Sequence, residues 1–187
     1  MHNSMREFAI NTSANPDLYD LHSLVWNCFS PDEEERPFLF RFDKIGEMGF
    51  VHVRSTVKPA KVPEASQTKT SYDLEEGQRL LFDIRTVPVK RTKSHGTCTE
   101  THLEGEAVLD WFIEKARPRG FEPIRETLWV RGDTIRFKKG EATLTVKDTV
   151  ISGQLIVTDP VTFYREALVK GIGRYKAFGF GMLRCWE

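Results

Sequence analysis

Strand, helix, strand, strand and strand follow one another twice along these 187 residues, with a further helix before the final strand distinct in the second round alone. This order predicts an α+β chain of two tandem ferredoxin-like (RRM-like) domains with antiparallel sheets. Two further observations support it. Apolar residues switch repeatedly between alternation and helical spacing, and Gly77, just after the acidic stretch Asp73 to Glu76, marks a boundary. The expected domains are residues 1–76 and 77–187.

In the first domain, the apolar run Phe8 to Ile10 predicts a strand. Pro16-Asp17 opens a helix with Asp17 as N-cap. Leu18, Leu21, Val25, Cys28 and Phe29 recur at helical spacing and form its buried stripe, and Pro31 with the acids Asp32 to Glu35 ends it. Phe38 to Phe42 and Phe50 to Val53 predict strands joined by a turn containing Gly46 and Gly49. Pro59 and Pro63 mark loop or a short helical turn over 57–67, and a brief strand near Thr70 to Leu74 closes the unit.

The second domain opens on Leu80 to Val89, where apolar residues alternate with Asp83, Arg85 and Thr86. Thr101 followed by Glu104 has the form of a capping box, before a helix with Val108, Leu109, Phe112, Ile113 and Ala116 on its core face. Leu128 to Phe137 predicts a hairpin turning at Arg131-Gly132-Asp133, and Thr143 to Val157 further β structure broken at Ser152-Gly153. Asp159-Pro160 starts a helix whose apolar face is Phe163, Ala167 and Leu168, with Gly171 at the C′ position. Phe178 to Trp186 predicts the last strand.

Composition excludes several classes. No run approaches the roughly 18 apolar residues of a membrane span, and the N-terminus lacks the apolar core of a secretory signal. Cys28, Cys98 and Cys185 are few, distant and odd in number, which fits reduced thiols in a cytoplasmic protein. Lys plus Arg equal Asp plus Glu at 27 each, yet the basic residues cluster at Arg85 to Lys93, Arg117 to Arg125, Arg131 to Lys139 and Lys170 to Lys176. A local basic groove on a neutral protein still binds phosphates.

Two features carry chemistry. The first is the stretch KGIGRYKAFGFGML from Lys170, with Gly171, Gly173, Gly179 and Gly181 around Arg174, Tyr175 and Lys176. It follows a helix and leads to a strand, the reverse of a dinucleotide-binding loop, and no Gly-Lys-Ser/Thr is present. It reads either as a C-cap with a glycine-bulged strand or as a backbone that approaches RNA phosphates closely. The second is the helix strip Tyr19, His22 and Trp26. His22 reads either as packing against Trp26 or as a proton-transfer group, since an imidazole titrates near neutrality. Metal-free RNA cleavage needs a base for the 2′-OH, an acid for the leaving 5′-oxygen and a cation for the phosphorane. His22, Tyr19 and Lys176 or Arg174 supply those types.

The basic hairpin, with Arg125, Arg131, Arg136, Lys138 and Lys139, reads either as exposed ribbon or as an RNA-groove element, to which Arg117 and Arg119 add charge. His95, Cys98 and His102 have only three ligands at zinc-like spacing, and Asp32 to Glu35 cannot converge on one ion. Neither predicts a metal site.

The segment GIGRYKAFGFGML resembles the terminal glycine-rich loop of CRISPR-associated repeat-RNA endoribonucleases of the CasE (Cse3) type. DLYDLHSLVWNCF resembles that family's D-x-Y-x-L-H-x-x-x-W helix, and RLLFDIRTVPVKR resembles its central strand. The resemblance implies two ferredoxin-like domains and metal-independent cleavage of CRISPR precursor RNA at a repeat stem-loop. It also implies a 2′,3′-cyclic phosphate end, no cofactor, and retention of the crRNA product with other Cascade subunits, the backbone subunit among them. His22 matches the family's catalytic histidine, Tyr19 the tyrosine one turn before it, and Lys176 the lysine of the loop. Ala177 departs from the serine often found after that lysine. A non-catalytic RNA-hairpin-binding subunit of a ribonucleoprotein complex is the alternative.

Overall fold

The computed structural model describes residues 4–30, 36–94 and 97–187. The first sheet contains β1 (Ser4–Ser13), β2 (Phe38–Ile45), β3 (Met48–Ser55) and β4 (Thr68–Ser71) in the order β2-β3-β1-β4, every pair antiparallel. Helix α1 (Leu18–Trp26) crosses between β1 and β2, and the second helix is reduced to one turn, Glu64–Ser66. This is the ferredoxin-like order.

The second sheet repeats it. Strands β5 (Arg79–Thr86), β8 (Phe121–Pro123), β9 (Trp129–Lys139), β10 (Ala142–Val157) and β11 (Leu183–Trp186) run β11-β5-β10-β8, with β9 also on β10. Helix α2 (Glu106–Ala116) and a helix that begins as α3 (Pro160–Thr162) and continues in wide turns over Phe163–Val169 cover one face. A separate ribbon, β6 (Val89–Ser94) with β7 (Thr97–His102), stands between β5 and α2.

Local chemistry explains the helix starts. The Asp17 carboxylate accepts from the Tyr19 N–H at 2.7 Å, a cap worth about 1 kcal/mol. Asp159 caps the last helix through the Thr162 N–H at 3.0 Å, with Pro160 in the first turn.

Several elements differ from the sequence-based expectation. Strand β1 is ten residues, far longer than Phe8 to Ile10. Its Glu7 is engaged rather than solvated: it pairs with Arg54 and accepts from Thr70 and Tyr72. Thr101 lies in β7, and α2 is preceded by Gly105 with no side-chain cap, so there is no capping box. Arg131-Gly132-Asp133 is no turn; the residues sit opposite Val150, Thr149 and Asp148 inside the β9–β10 ladder. The chain reverses instead at Gly140, where φ is +62°. Strand β10 runs unbroken through Ser152-Gly153, and Gly153 is required there because a Cβ would lie 2.9 Å from the Thr127 carbonyl oxygen. Residues 178–182 are buried connection rather than strand, which is confined to Leu183–Trp186. The acidic run at 32–35 and His95 lie outside the described residues, as does the Cys98 side chain.

Each sheet packs an apolar face on its helices, and each core borrows from the other half. Met5 of β1 is buried with Phe82, Phe112 and Phe163 of the second core. Val87, Val89, Phe137, Val146, Phe178 and Phe180 complete the first core around Leu21, Val25 and Phe40. At about 2 kcal/mol for each large apolar side chain, these exchanged residues fasten the halves together. An ionic lattice joins the opposite faces of the two sheets. Arg184 of β11 contacts Asp83 of β5 through Nε at 2.7 Å and Nη2 at 2.5 Å, and its Nη1 lies 3.1 Å from Asp43 of β2. Arg41, also on β2, donates through Nε to Asp43 at 2.9 Å. Its Nη1 lies 3.0 Å from Asp83, a close ion contact without hydrogen-bond alignment. Arg85 of β5 forms a fork with Asp148 at 2.9 and 2.6 Å and donates to the Phe42 carbonyl.

Candidate functional site

The segment between the last helix and β11 doubles back on itself. Ile172 N–H donates to the Gly181 carbonyl at 2.8 Å, and Gly181 N–H donates to the Arg85 carbonyl at 2.7 Å. Lys176–Phe178 forms one tight turn, entered through Tyr175 in the left-handed region at φ +58°. The loop's glycines are steric necessities. A Cβ on Gly171 would come within 2.6 Å of the Gly181 carbonyl oxygen, and one on Gly181 within 2.5 Å of that of Ile172. The N–H groups of Gly171, Gly179 and Gly181 are consumed by backbone acceptors. These glycines set the loop's path, and their amides have backbone partners within the protein.

The turn lies directly against α1. The His22 ring is 6.4 Å from that of Phe178 and meets Trp26 edge-on at 6.3 Å. His22 is half-buried, and its Nδ1 has no hydrogen-bond partner among the described residues. Burial lowers its pKa below the ordinary 6.5; the Ala177 backbone pulls the other way, and the nearby Arg36 charge depresses it further. Tyr19 stands one turn earlier on α1, half exposed.

Cations gather around this histidine. Lys176 extends Nζ to the Lys170 carbonyl at 2.9 Å. Burial holds its ammonium below its usual range, and Arg36, Arg119 and Lys170 add repulsion. Arg119 is anchored through Nη1 to the Lys115 carbonyl at 2.8 Å. The Nε groups of Arg36 and Arg119 are both buried without a partner among the described residues. Among the described residues, the Glu166 carboxylate reaches this group, paired with Lys170 at 2.9 Å and with Arg165. Like charges crowded and partly desolvated in this way favour an incoming anion.

The structure thus brings His22, Lys176 and Arg119 together. Arg36 joins them and was not among the residues singled out from sequence. It follows four carboxylates and reads there as one more surface charge; nothing local marks it. Other basic residues lie elsewhere. Arg174 pairs with Glu100 of β7 and lies over the Tyr175 ring, its guanidinium carbon 5.6 Å from the centroid. Tyr175 itself packs on Phe137 and Phe178. Arg125 is held by Asp110 at 2.6 Å and Glu106 at 2.8 Å along α2. Arg117 is exposed beside Arg119. On β9, Arg131 stacks over the exposed Trp129 at 5.9 Å, and Arg136 and Lys138 are exposed. The Lys139 side chain lies outside the described residues. Among the described residues, no group of three or more His, Cys, Asp or Glu could hold a metal ion, and no helix is long and apolar enough to cross a membrane.

The fold recurs in solved structures. A CRISPR endoribonuclease Cse3 bound to a 19-nucleotide RNA superposes with a TM-score of 0.79 at 22% identity, over 98% of this chain and 100% of that one. Thermus thermophilus Cse3, bound to an RNA representing a pre-cleavage complex, gives 0.77 at 22% identity over the whole of both chains. The CRISPR-associated protein Cas6e from Escherichia coli K-12 gives 0.73 at 21% identity, over 97% and 98%. No curated protein matches the sequence. The model of the family described as CRISPR associated protein matches residues 4–185, and the chain is a member of that family.

Proposed function

We propose that this protein is a metal-independent endoribonuclease that cleaves CRISPR precursor RNA at repeat stem-loops and stays bound to the crRNA product as a subunit of a Cascade complex. The observation that carries the reading is the seating of His22 against the Lys176–Phe178 turn, with Arg36, Arg119 and Lys170 close to Lys176. The names of the structural neighbours, which include RNA-bound Cse3 and a CRISPR RNA-guided surveillance complex, agree with it.

In this reading the scissile phosphate sits among Lys176, Arg119 and Arg36. The 2′-oxygen attacks phosphorus and the P–O5′ bond breaks, leaving a 2′,3′-cyclic phosphate and a 5′-hydroxyl. His22 moves one of the two protons, as base toward the 2′-OH or as acid toward O5′, and Tyr19 orients the sugar or shares that transfer. Lys176 offsets the charge that builds on the phosphorane, where removing one such donor typically costs about 10²–10³ in rate. Arg131, Arg136, Lys138 and Lys139 on the β9–β10 ribbon, with Arg117, Arg125, Arg174 and Tyr175, are proposed to hold the stem. Gly171, Gly173, Gly179 and Gly181 shape the loop that meets it. The functional units divide at residues 76–77, between β4 and β5.

Incubation with the cognate repeat RNA tests this. A 2′-deoxy sugar at the scissile position blocks cleavage and EDTA does not; cutting of the deoxy substrate, or loss of cutting in EDTA, refutes the mechanism. His22→Ala abolishes turnover with hairpin affinity changed less than about threefold.

A further inference from the structure

The Glu166 carboxylate has no part in the cleavage chemistry, yet it sits among the cations that serve it. It lies in the last helix, where the Lys170 N–H donates to the Arg165 carbonyl five residues back. A turn of that width carries one residue more than an α turn, so Lys170 stands over both Arg165 and Glu166. Lys170 Nζ meets the two Glu166 oxygens at 2.9 and 3.0 Å, and Arg165 Nε meets the first of them at 2.8 Å. The Lys170 and Arg165 contacts hold the Glu166 carboxyl below the usual carboxylate range, so it is charged at neutral pH.

Beyond these pairs the charges run one way. Arg119 and Lys176 form no ion pair among the described residues; they donate to the backbone carbonyls of Lys115 and Lys170. Burial lowers the Arg119 pKa, and the Glu166 charge opposes that shift. Burial also lowers the pKa of Lys176, to which Arg36, Arg119 and Lys170 add repulsion. Glu166 thus holds, with two oxygens, an ammonium, one guanidinium and the field of a second. Those are the donors that a backbone phosphate takes. Lys170 and Arg165 are exposed, at 58% and 62% of their side chains, so an incoming anion can reach them.

We propose that Glu166 is an internal competitor for RNA: in the free protein its carboxylate occupies the place on Lys170 that one backbone phosphate takes in the complex. This rests on the reading of the chain as an RNA-cleaving protein. The phosphate concerned neighbours the scissile one, because the Lys170 carbonyl is the group that carries the Lys176 ammonium. The exchange keeps Lys170 ordered and neutralised until RNA arrives, and it lowers the net positive charge that the cluster presents to any anion.

Stem-loop affinity measured across a salt series tests it. With the carboxylate gone, the cluster meets the RNA with one more net positive charge, which steepens the fall of log affinity with log salt by about 0.7–0.9. Glu166→Gln, which keeps the side chain's shape, should therefore bind the repeat stem-loop about five- to eightfold more tightly than wild type at 0.1 M salt, the two converging near 1 M. Adding Lys170→Met should return affinity and slope to about the wild-type values. Glu76→Gln makes the same change in net charge in the connection between β4 and β5, and should move both far less. An unchanged slope in Glu166→Gln, a gain that survives Lys170→Met, or an equal gain in Glu76→Gln overturns the competitor and leaves the cleavage reading standing. A wild-type chain that binds no repeat stem-loop overturns the underlying reading and the competitor with it.

Discussion

Replacing Asp83 by alanine removes the carboxylate shared by Arg41 and Arg184 across the two sheets. The Arg41 side chain is 6% exposed, Asp83 15% and Arg184 31%. Deleting one partner of a fully buried pair costs about 3–5 kcal/mol, mostly because the other charge is left uncompensated. Two features reduce that here: Asp43 still reaches both guanidinium groups, at 2.9 and 3.1 Å, and Arg184 keeps access to water. The expected loss is about 2–3 kcal/mol, or about 5–10 °C in melting temperature for a chain of this size. Equilibrium urea unfolding measures it, with the two halves melting in one transition. Adding Arg41→Met to Asp83→Ala should recover part of the loss, since two guanidinium groups then no longer share the single Asp43 carboxylate. Under the proposed function the single variant also slows cleavage, because the lattice sets His22 of one half against Lys176 of the other. A loss below about 0.5 kcal/mol, or a double variant less stable than the single by a further full increment, refutes the reasoning.

Two other predictions concern the site. The His22 imidazole should titrate below 6.5 in the free protein by NMR, and Arg36→Met should raise its midpoint, because burial and that guanidinium both disfavour the charged ring. The linked stability is fully present above pH 6.5 and is lost as pH falls through the lowered midpoint; a midpoint at or above 6.5 contradicts the assignment. Gly181→Ala and Gly77→Ala form a matched pair, at φ +83° and +81°. A Cβ on Gly77 meets nothing within 4 Å, whereas one on Gly181 lies 2.5 Å from the Ile172 carbonyl oxygen. The second should lower the melting temperature by about 2–4 °C, for roughly 1 kcal/mol, and the first at least twice as much; equal losses would mean that the loop yields freely.

How much was legible beforehand depended on what each residue does in space. Helix α1 was readable to its cap because its apolar stripe and Asp17 follow from local spacing. The ribbon of β6 and β7 was not, since its threonines, lysines and arginines give no apolar alternation. The chain's reversal at Gly140 was hidden by Arg131-Gly132-Asp133, whose composition suits a turn but whose partners across the ladder hold it extended. His22 and Lys176 could be named from residue type and context. Arg36 could not, because its meaning arises when β2 brings the end of its preceding segment back beside α1. The glycines stand out by their spacing, while their steric part in closing the loop is visible only in three dimensions.

The exchange of side chains between the two cores has an evolutionary consequence. Met5 finishes one interior, while Phe178 and Phe180 finish the other. A change in the size of any of these must be answered by a residue on the far side of the boundary. The halves therefore cannot be recombined with counterparts from distant relatives as interchangeable modules. Among relatives, the strongest paired changes should join the first strand to the second half's helices, and the glycine-loop phenylalanines to α1 and β2.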